Sequence, residues 1–181
     1  MFYVKTDYIV IFEAKTSIKK GKMILSIKFI GSPNFDKVSN RRIKYIIIHY
    51  TGMKDQTSAI QRLQSKVAKV SCHYLISKRG NIFQLVKDEN VAWHAGKSRW
   101  LSDLNLNLKS IGIELVNNGN EPFEKKQINS LIKLLKFLKK NHQINKKFIL
   151  GHEDIAPKRK KDPGPYFPWF KLHKVKLSKK R

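Results

Sequence analysis

Acidic residues are scarce in this chain, which carries 13 aspartates and glutamates against 38 lysines and arginines, a formal net charge of +25. Such an excess favours acidic polymers or anionic surfaces as partners. The basic residues are nevertheless spread along the whole sequence, and no RNA-binding or helix-turn-helix signature accompanies them, so nucleic acid is not expected as a partner. Lysine, asparagine and isoleucine are abundant together, which reads as compositional drift. Cysteine is nearly absent. The single Cys72 excludes an intramolecular disulfide, and stability must come from packing. Long hydrophobic runs are missing as well: Tyr8–Phe12 is interrupted by Glu13, and neither an apolar stretch of ~7–15 residues with a small-residue cleavage site nor a span of ~20 apolar residues follows. A signal peptide and a transmembrane segment are therefore not expected. No internal repeat or low-complexity linker divides the 181 residues. That length suits one domain, since a chain of ~150 residues buries ~70% of its unfolded surface.

What is present alternates between strand and helix signals. Ile43–Tyr50 is apolar on both faces and reads as a central strand, and Ile111–Val116 and Phe148–Gly151 read as further buried strands. Tyr74–Ser77 and Asn81–Val86 form an expected hairpin, with Gly80 supplying the positive φ of its turn. Asp55 to Ser58 offer helix N-caps, and Ile60, Leu63, Val67 and Ala68 follow with helical spacing. After Pro122, the positions Ile128, Leu131, Ile132, Leu135 and Leu138 mark a long amphipathic helix to about Asn141. Ala95–Asn107 is expected to be an irregular surface loop of the kind that carries binding residues. This order predicts an α/β fold, a mixed central β-sheet flanked by helices in a single domain. Its expected divisions are an N-terminal extension at 1–31, the domain at 32–172 and a mobile basic tail at 173–181. Met23 stands as an alternative start, leaving residues 1–22 outside the functional chain.

The chemistry gathers at strand ends. His49 closes the central strand, and His152 follows Phe148–Gly151 on a loop that also carries Lys160 and Asp162. Open α/β sheets bind ligands at the carboxyl ends of their strands. Two histidines and one carboxylate make a three-ligand zinc site with an open fourth position, the catalytic kind. Each residue also has a plain reading. His49 alone reads as a core histidine bonded to backbone, Asp162 in Asp162-Pro163-Gly164 as a turn residue capping its own backbone, and Lys160 among Lys158, Arg159 and Lys161 as a solvated charge run. Glu114, the only charge in Ile111–Val116, lies opposite Ile111, Ile113 and Leu115. A carboxylate there needs a partner, and it serves either in an ion pair with a lysine or as a general base with a raised pKa.

Five blocks together carry a resemblance: Ile48-His49-Tyr50-Thr51, Val70–Ile76, Ala92-Trp93-His94-Ala95-Gly96, Ser110–Asn117, and Gly151–Pro157 with Arg159–Gly164. Over roughly Ser32 to Leu172 the chain resembles the N-acetylmuramoyl-L-alanine amidases, which share their fold with phage lysozyme-like amidases and peptidoglycan recognition proteins. The resemblance implies one zinc ion per chain on His49, His152 and Asp162, Glu114 as the general base and Lys160 as the group that stabilises the oxyanion. It implies a substrate groove with Trp93 as a flat wall and His94 near the scissile amide, and Asn117 is read as a contact to the stem peptide. Phage-type members use a tyrosine where Cys72 stands, so this chain matches the glutamate-using branch. Cys72 itself reads as a small buried residue and His73 as structural. The implied substrate is peptidoglycan or a muropeptide, cut between the lactyl group and L-alanine, with a non-catalytic binding module as the alternative. A monomer in the cytoplasm is expected, with the periplasm or cell wall as the other location. Attraction of the basic chain to wall carboxylates would be a by-product.

Overall fold

The computed structural model describes residues 2–5, 8–12 and 23–179. Twelve strands and four α-helices follow one another along these residues. They are β1 (Phe2–Lys5), β2 (Tyr8–Phe12), β3 (Met23–Phe29), β4 (Phe35–Asp36), β5 (Tyr45–Tyr50), α1 (Gln56–Gln64), β6 (Tyr74–Ile76) and β7 (Ile82–Gln84). After them come β8 (Val91–Ala92), β9 (Arg99–Trp100), β10 (Asp103–Leu104), β11 (Ser110–Leu115), α2 (Lys125–Asn141), β12 (Ile149–Gly151), α3 (His152–Ile155) and α4 (Trp169–Lys174). Eight strands make one mixed sheet in the order β1-β2-β3-β7-β6-β11-β5-β12. β11 runs parallel to β5 and β6, and β12 runs parallel to β5. β6 and β7 are the expected antiparallel hairpin, with Gly80 at φ +86°.

Alternation along β5 assigns its two faces. Ile46 and Ile48 join Ile111, Ile113 and Leu115 of β11 under α2, which lays Ile128, Leu131, Leu135 and Leu138 on the main core. Tyr45 and Ile47 point the other way, into a smaller cluster with Ala95, Leu106, Leu150 and Ile155. His49 continues this second face. α1 covers the adjoining strands with Ala59 and Leu63 against Cys72, Leu75 and Val116. Cys72 is fully buried there, and burial pushes its thiol pKa well up. That environment suits a small core residue and not a nucleophile.

Four expectations need correction. β3 belongs to the core sheet, pairing with β7 and burying Leu25 and Ile27, so the boundary expected at 31/32 falls after a core strand. α1 ends at Gln64, and Val67 is 90% exposed. The spacing misled because Asn34 Nδ2 donates to the carbonyls of Ser65 and Val70, both at 2.8 Å, and so holds 65–70 as a turn. Ala95–Asn107 is only partly irregular, since β9 and β10 pair as a short antiparallel ribbon within it. The expected tail from 173 is anchored at one point, where Leu177 is buried in the main core and Ser178 beside it is 1% exposed, while 173–176 and 179 are exposed.

Candidate active site

Parallel pairing sets the stage. β5 and β11 align His49 with Glu114, and β12 ends one residue before His152, so all three residues emerge at the carboxyl ends of neighbouring strands. Asp162 is brought to them by the loop that follows α3. Asp154 Oδ2 accepts from Gly151 N at 2.6 Å as the helix begins, and Glu153 N donates to the Asp162 carbonyl at 2.8 Å, closing the loop. Gly164 at φ +75° completes the turn expected from Asp162-Pro163-Gly164.

Three side-chain atoms converge. His49 Nδ1 lies 2.9 Å from His152 Nδ1 and 2.9 Å from Asp162 Oδ2, and His152 Nδ1 lies 3.1 Å from the same oxygen. All three residues are buried. The far nitrogens are occupied: His49 Nε2 is 3.0 Å from His94 Nδ1, and His152 Nε2 is 3.1 Å from the Ala95 carbonyl. Burial lowers the His49 pKa to about 4, which keeps the ring neutral near pH 7. Burial works to raise Asp162, but the adjoining His152 and His49 rings outweigh it and hold the carboxyl well below its usual range. Two imidazoles and a carboxylate whose ligand atoms lie within 4.8 Å of one another form a donor set able to hold a metal ion.

Glu114 lies beside this cluster on the floor of a cleft that His49, Trp93, His152, Lys160 and Asp162 also line. Its Oε2 is buried without a hydrogen-bond partner among the described residues. Desolvation, aided by the Asp162 charge, raises its pKa well above the usual value, while Lys160 acts in the opposite sense. Lys160 is half-buried, whereas Lys158 and Lys161 are exposed, which separates it from its neighbours in a way that composition could not. Trp93 is half-buried in the cleft wall, with Nε1 donating to Asp36 Oδ2 at 2.9 Å.

The two remaining residues sit differently from what their motifs imply. His94 lines the cleft, but both its ring nitrogens are engaged inward, Nδ1 with His49 and Nε2 with Ser110 Oγ at 3.2 Å. Asn117 is 1% exposed, and its side chain serves its own turn, donating to the Glu121 carbonyl and accepting from Gly119 N. Both ends of the buried amide are thus engaged within its own turn, which favours a structural role over the expected contact to the stem peptide. His73 is structural as expected, accepting from Gly112 N at Nδ1 and reaching the Asn90 carbonyl with Nε2. Residue patterns gave no signal for Arg159, whose Nη2 donates to the Ala95 and Lys97 carbonyls, or for Asn107, whose Oδ1 accepts from the backbone of His94 and Ala95.

Comparison with known proteins converges on one family. The family model described as N-acetylmuramoyl-L-alanine amidase matches residues 39–165. The chain is 42% identical over 147 residues to the N-acetylmuramoyl-L-alanine amidase AmiD of Escherichia coli, covering 72% of this chain and 52% of AmiD. It is 36% identical over 171 residues to the 1,6-anhydro-N-acetylmuramyl-L-alanine amidase AmpD of Haemophilus influenzae, covering 84% of this chain and 92% of AmpD. The chain therefore spans about half of the first relative and nearly all of the second. Among solved structures, E. coli AmiD in complex with anhydro-N-acetylmuramic acid-L-Ala-D-gamma-Glu-L-Lys superposes with a TM-score of 0.72 at 35% identity, over 81% of this chain and 67% of that one. With its family model matched across the strands and loops that build the cleft, the chain belongs to the N-acetylmuramoyl-L-alanine amidase family.

Proposed function

We propose that this chain is a zinc-dependent amidase that hydrolyses the bond between the lactyl carbonyl of N-acetylmuramic acid and the L-alanine nitrogen of the stem peptide. The observation that carries this reading is the convergence of His49, His152 and Asp162 beside the unpartnered Glu114 carboxylate. The donor set fits zinc: tetrahedral bonds of ~2.0–2.1 Å separate ligand atoms by roughly 3.3 Å, close to the spacing of the three converging atoms. When bound, zinc would lower the pKa of a water from 15.7 to about 7 and polarise the substrate carbonyl.

The protein groups divide the remaining work. Glu114 takes a proton as the water oxygen adds to the carbonyl carbon, then delivers it to the alanine nitrogen as the C–N bond breaks. The products are a lactyl carboxylate and a free α-amine. A raised carboxyl pKa suits both halves, because the group must accept and then release the proton near neutral pH. Lys160 supplies positive charge to the oxyanion that develops between the two halves. Trp93 offers a flat apolar wall to the sugar or lactyl group. A binding module would have no use for a desolvated carboxylate facing the metal ligands. Mass spectrometry of products from a soluble anhydro-muropeptide and from intact sacculi tests the reading. Release of a stem peptide with a free L-alanine amine is expected, and absence of that cleavage with zinc-loaded protein on either substrate would overturn it.

A further inference from the structure

Both histidine ligands present Nδ1 to the metal position, so each ring is steered by what holds its Nε2. Those two partners are consecutive residues. His94 Nδ1 faces His49 Nε2 at 3.0 Å, and the Ala95 carbonyl faces His152 Nε2 at 3.1 Å. The same two residues are pinned from behind, because Asn107 Oδ1 accepts from His94 N at 3.1 Å and from Ala95 N at 2.7 Å. Arg159 Nη2 adds a second donor to the Ala95 carbonyl at 2.7 Å.

Proton direction along these contacts is forced by where they end. A carbonyl only accepts. His152 Nε2 also lies 3.5 Å from Arg159 Nη2, but its shorter contact is to the Ala95 carbonyl, to which it gives its hydrogen, leaving a lone pair on Nδ1. On the other side, the Ser110 hydroxyl donates to the Leu106 carbonyl at 2.5 Å, so toward His94 Nε2 it can only accept. His94 then has its lone pair on Nδ1, which receives the hydrogen of His49 Nε2, and His49 Nδ1 is also left with a lone pair. The His94 ring has little freedom to do otherwise: a Cβ on Gly112 would stand 2.4 Å from its Cγ, so β11 offers a glycine where the ring lies.

We infer that His94 and Ala95, clamped by Asn107, form the frame that fixes the tautomer and orientation of both histidine ligands, and that His94 and Asn107 are positioning residues for the metal. This rests on the zinc reading above. It assigns the Trp93-His94-Ala95-Gly96 segment two tasks, with Trp93 facing the cleft and the next two residues facing the ligands.

The test is zinc affinity by chelator competition, together with the visible absorption of the cobalt-substituted protein as a report on coordination geometry. His94→Phe keeps a flat ring but removes the acceptor, and Asn107→Leu removes the clamp; each should weaken zinc about 10–100-fold and alter the cobalt spectrum. Asn107→Asp, which keeps an acceptor oxygen, should stay near wild type. Ser110→Ala, a small deletion that the fold tolerates more readily, should weaken zinc several-fold relative to wild type, and unchanged zinc affinity in it overturns the inference should the ring variant fail to fold. Unchanged zinc affinity and cobalt spectra in the folded variants, with a raised KM for muropeptide, would overturn the inference and make His94 a substrate contact. Zinc held no more tightly by the wild-type chain than by His152→Ala would overturn the metal reading itself.

Discussion

Glu114 is the residue to which the proposed mechanism gives the base's work, and its neighbours are the reason. Its strand position makes it half-buried, parallel pairing with β5 puts it beside His49, and no donor reaches its Oε2 among the described residues. Glu114→Gln should keep both fold and metal while turnover falls by ~10²-fold or more. The sign of the pH dependence follows from the direction of its shift. A base works deprotonated, so the wild-type rate should climb with pH through a value above the ordinary carboxylate range, and the glutamine variant should lack that limb. Lys160 provides the companion test. Lys160→Ala should depress turnover with little change in substrate affinity, as loss of an interaction made in the transition state does, whereas Lys158→Ala and Lys161→Ala should leave turnover near wild type. Equal, salt-sensitive losses of binding at all three positions would show an electrostatic collar instead. At this scale the meeting of His49, His152 and Asp162 in one cleft with Glu114 and Lys160 was legible, because motifs mark those positions. Asn107 and Arg159 were not, since a clamp made of backbone hydrogen bonds leaves no pattern of residue types.

Secondary-structure elements are held in place by buried polar groups that sequence reading passes over. Arg41, just before β5, donates to five carbonyls, those of Asp88, Asn90, Asn107, Leu108 and Ser110, and burial lowers its pKa to about 10. Asp88 ties β6 to the end of α2 by accepting from Tyr74 Oη and His142 Nε2, both at 2.7 Å. Burial works to raise the Asp88 pKa, yet its partners, His142 first, keep it below the ordinary aspartate value of 3.8. A depressed carboxyl stabilises the fold above its unfolded pKa, and that contribution is lost as pH falls through the folded value. Asp88→Asn should therefore cost about 1.5–3 kcal/mol at neutral pH. In urea unfolding of metal-free protein, the gap between variant and wild type should narrow as pH drops below 3.8; a constant gap would mean the charge contributes nothing. β5, β6, β7, β11, β12 and α2 were readable from their apolar patterns, because burial imposes those directly. The end of α1 was not, since Asn34, about thirty residues earlier, decides it through tertiary hydrogen bonds.

Over the whole molecule, a mixed sheet carries its main core under α2 and its chemistry on the opposite face. β3 was cut off by the expected boundary because a strand that joins its sheet through β7 offers no local sign of membership. A chain beginning at Ser32 should be less stable than one beginning at Met23 by several kcal/mol, given ~1.5–3 kcal/mol for each large apolar side chain such as Leu25 and Ile27 taken out of the core. Equal urea midpoints for the two would contradict the place of β3 in the core. Among the described residues no helix is long and apolar enough to cross a membrane. The central claim is that one metal ion, held by residues from two strand ends and a loop, makes this chain an amidase. Exhaustive chelation followed by stepwise return of zinc, with release of L-alanine-terminated peptide from anhydro-muropeptide followed at each step, tests it most directly. The account predicts that activity vanishes on chelation and returns in proportion to zinc up to about one ion per chain, with His152→Ala inactive throughout; full activity in the metal-free wild-type protein would contradict it.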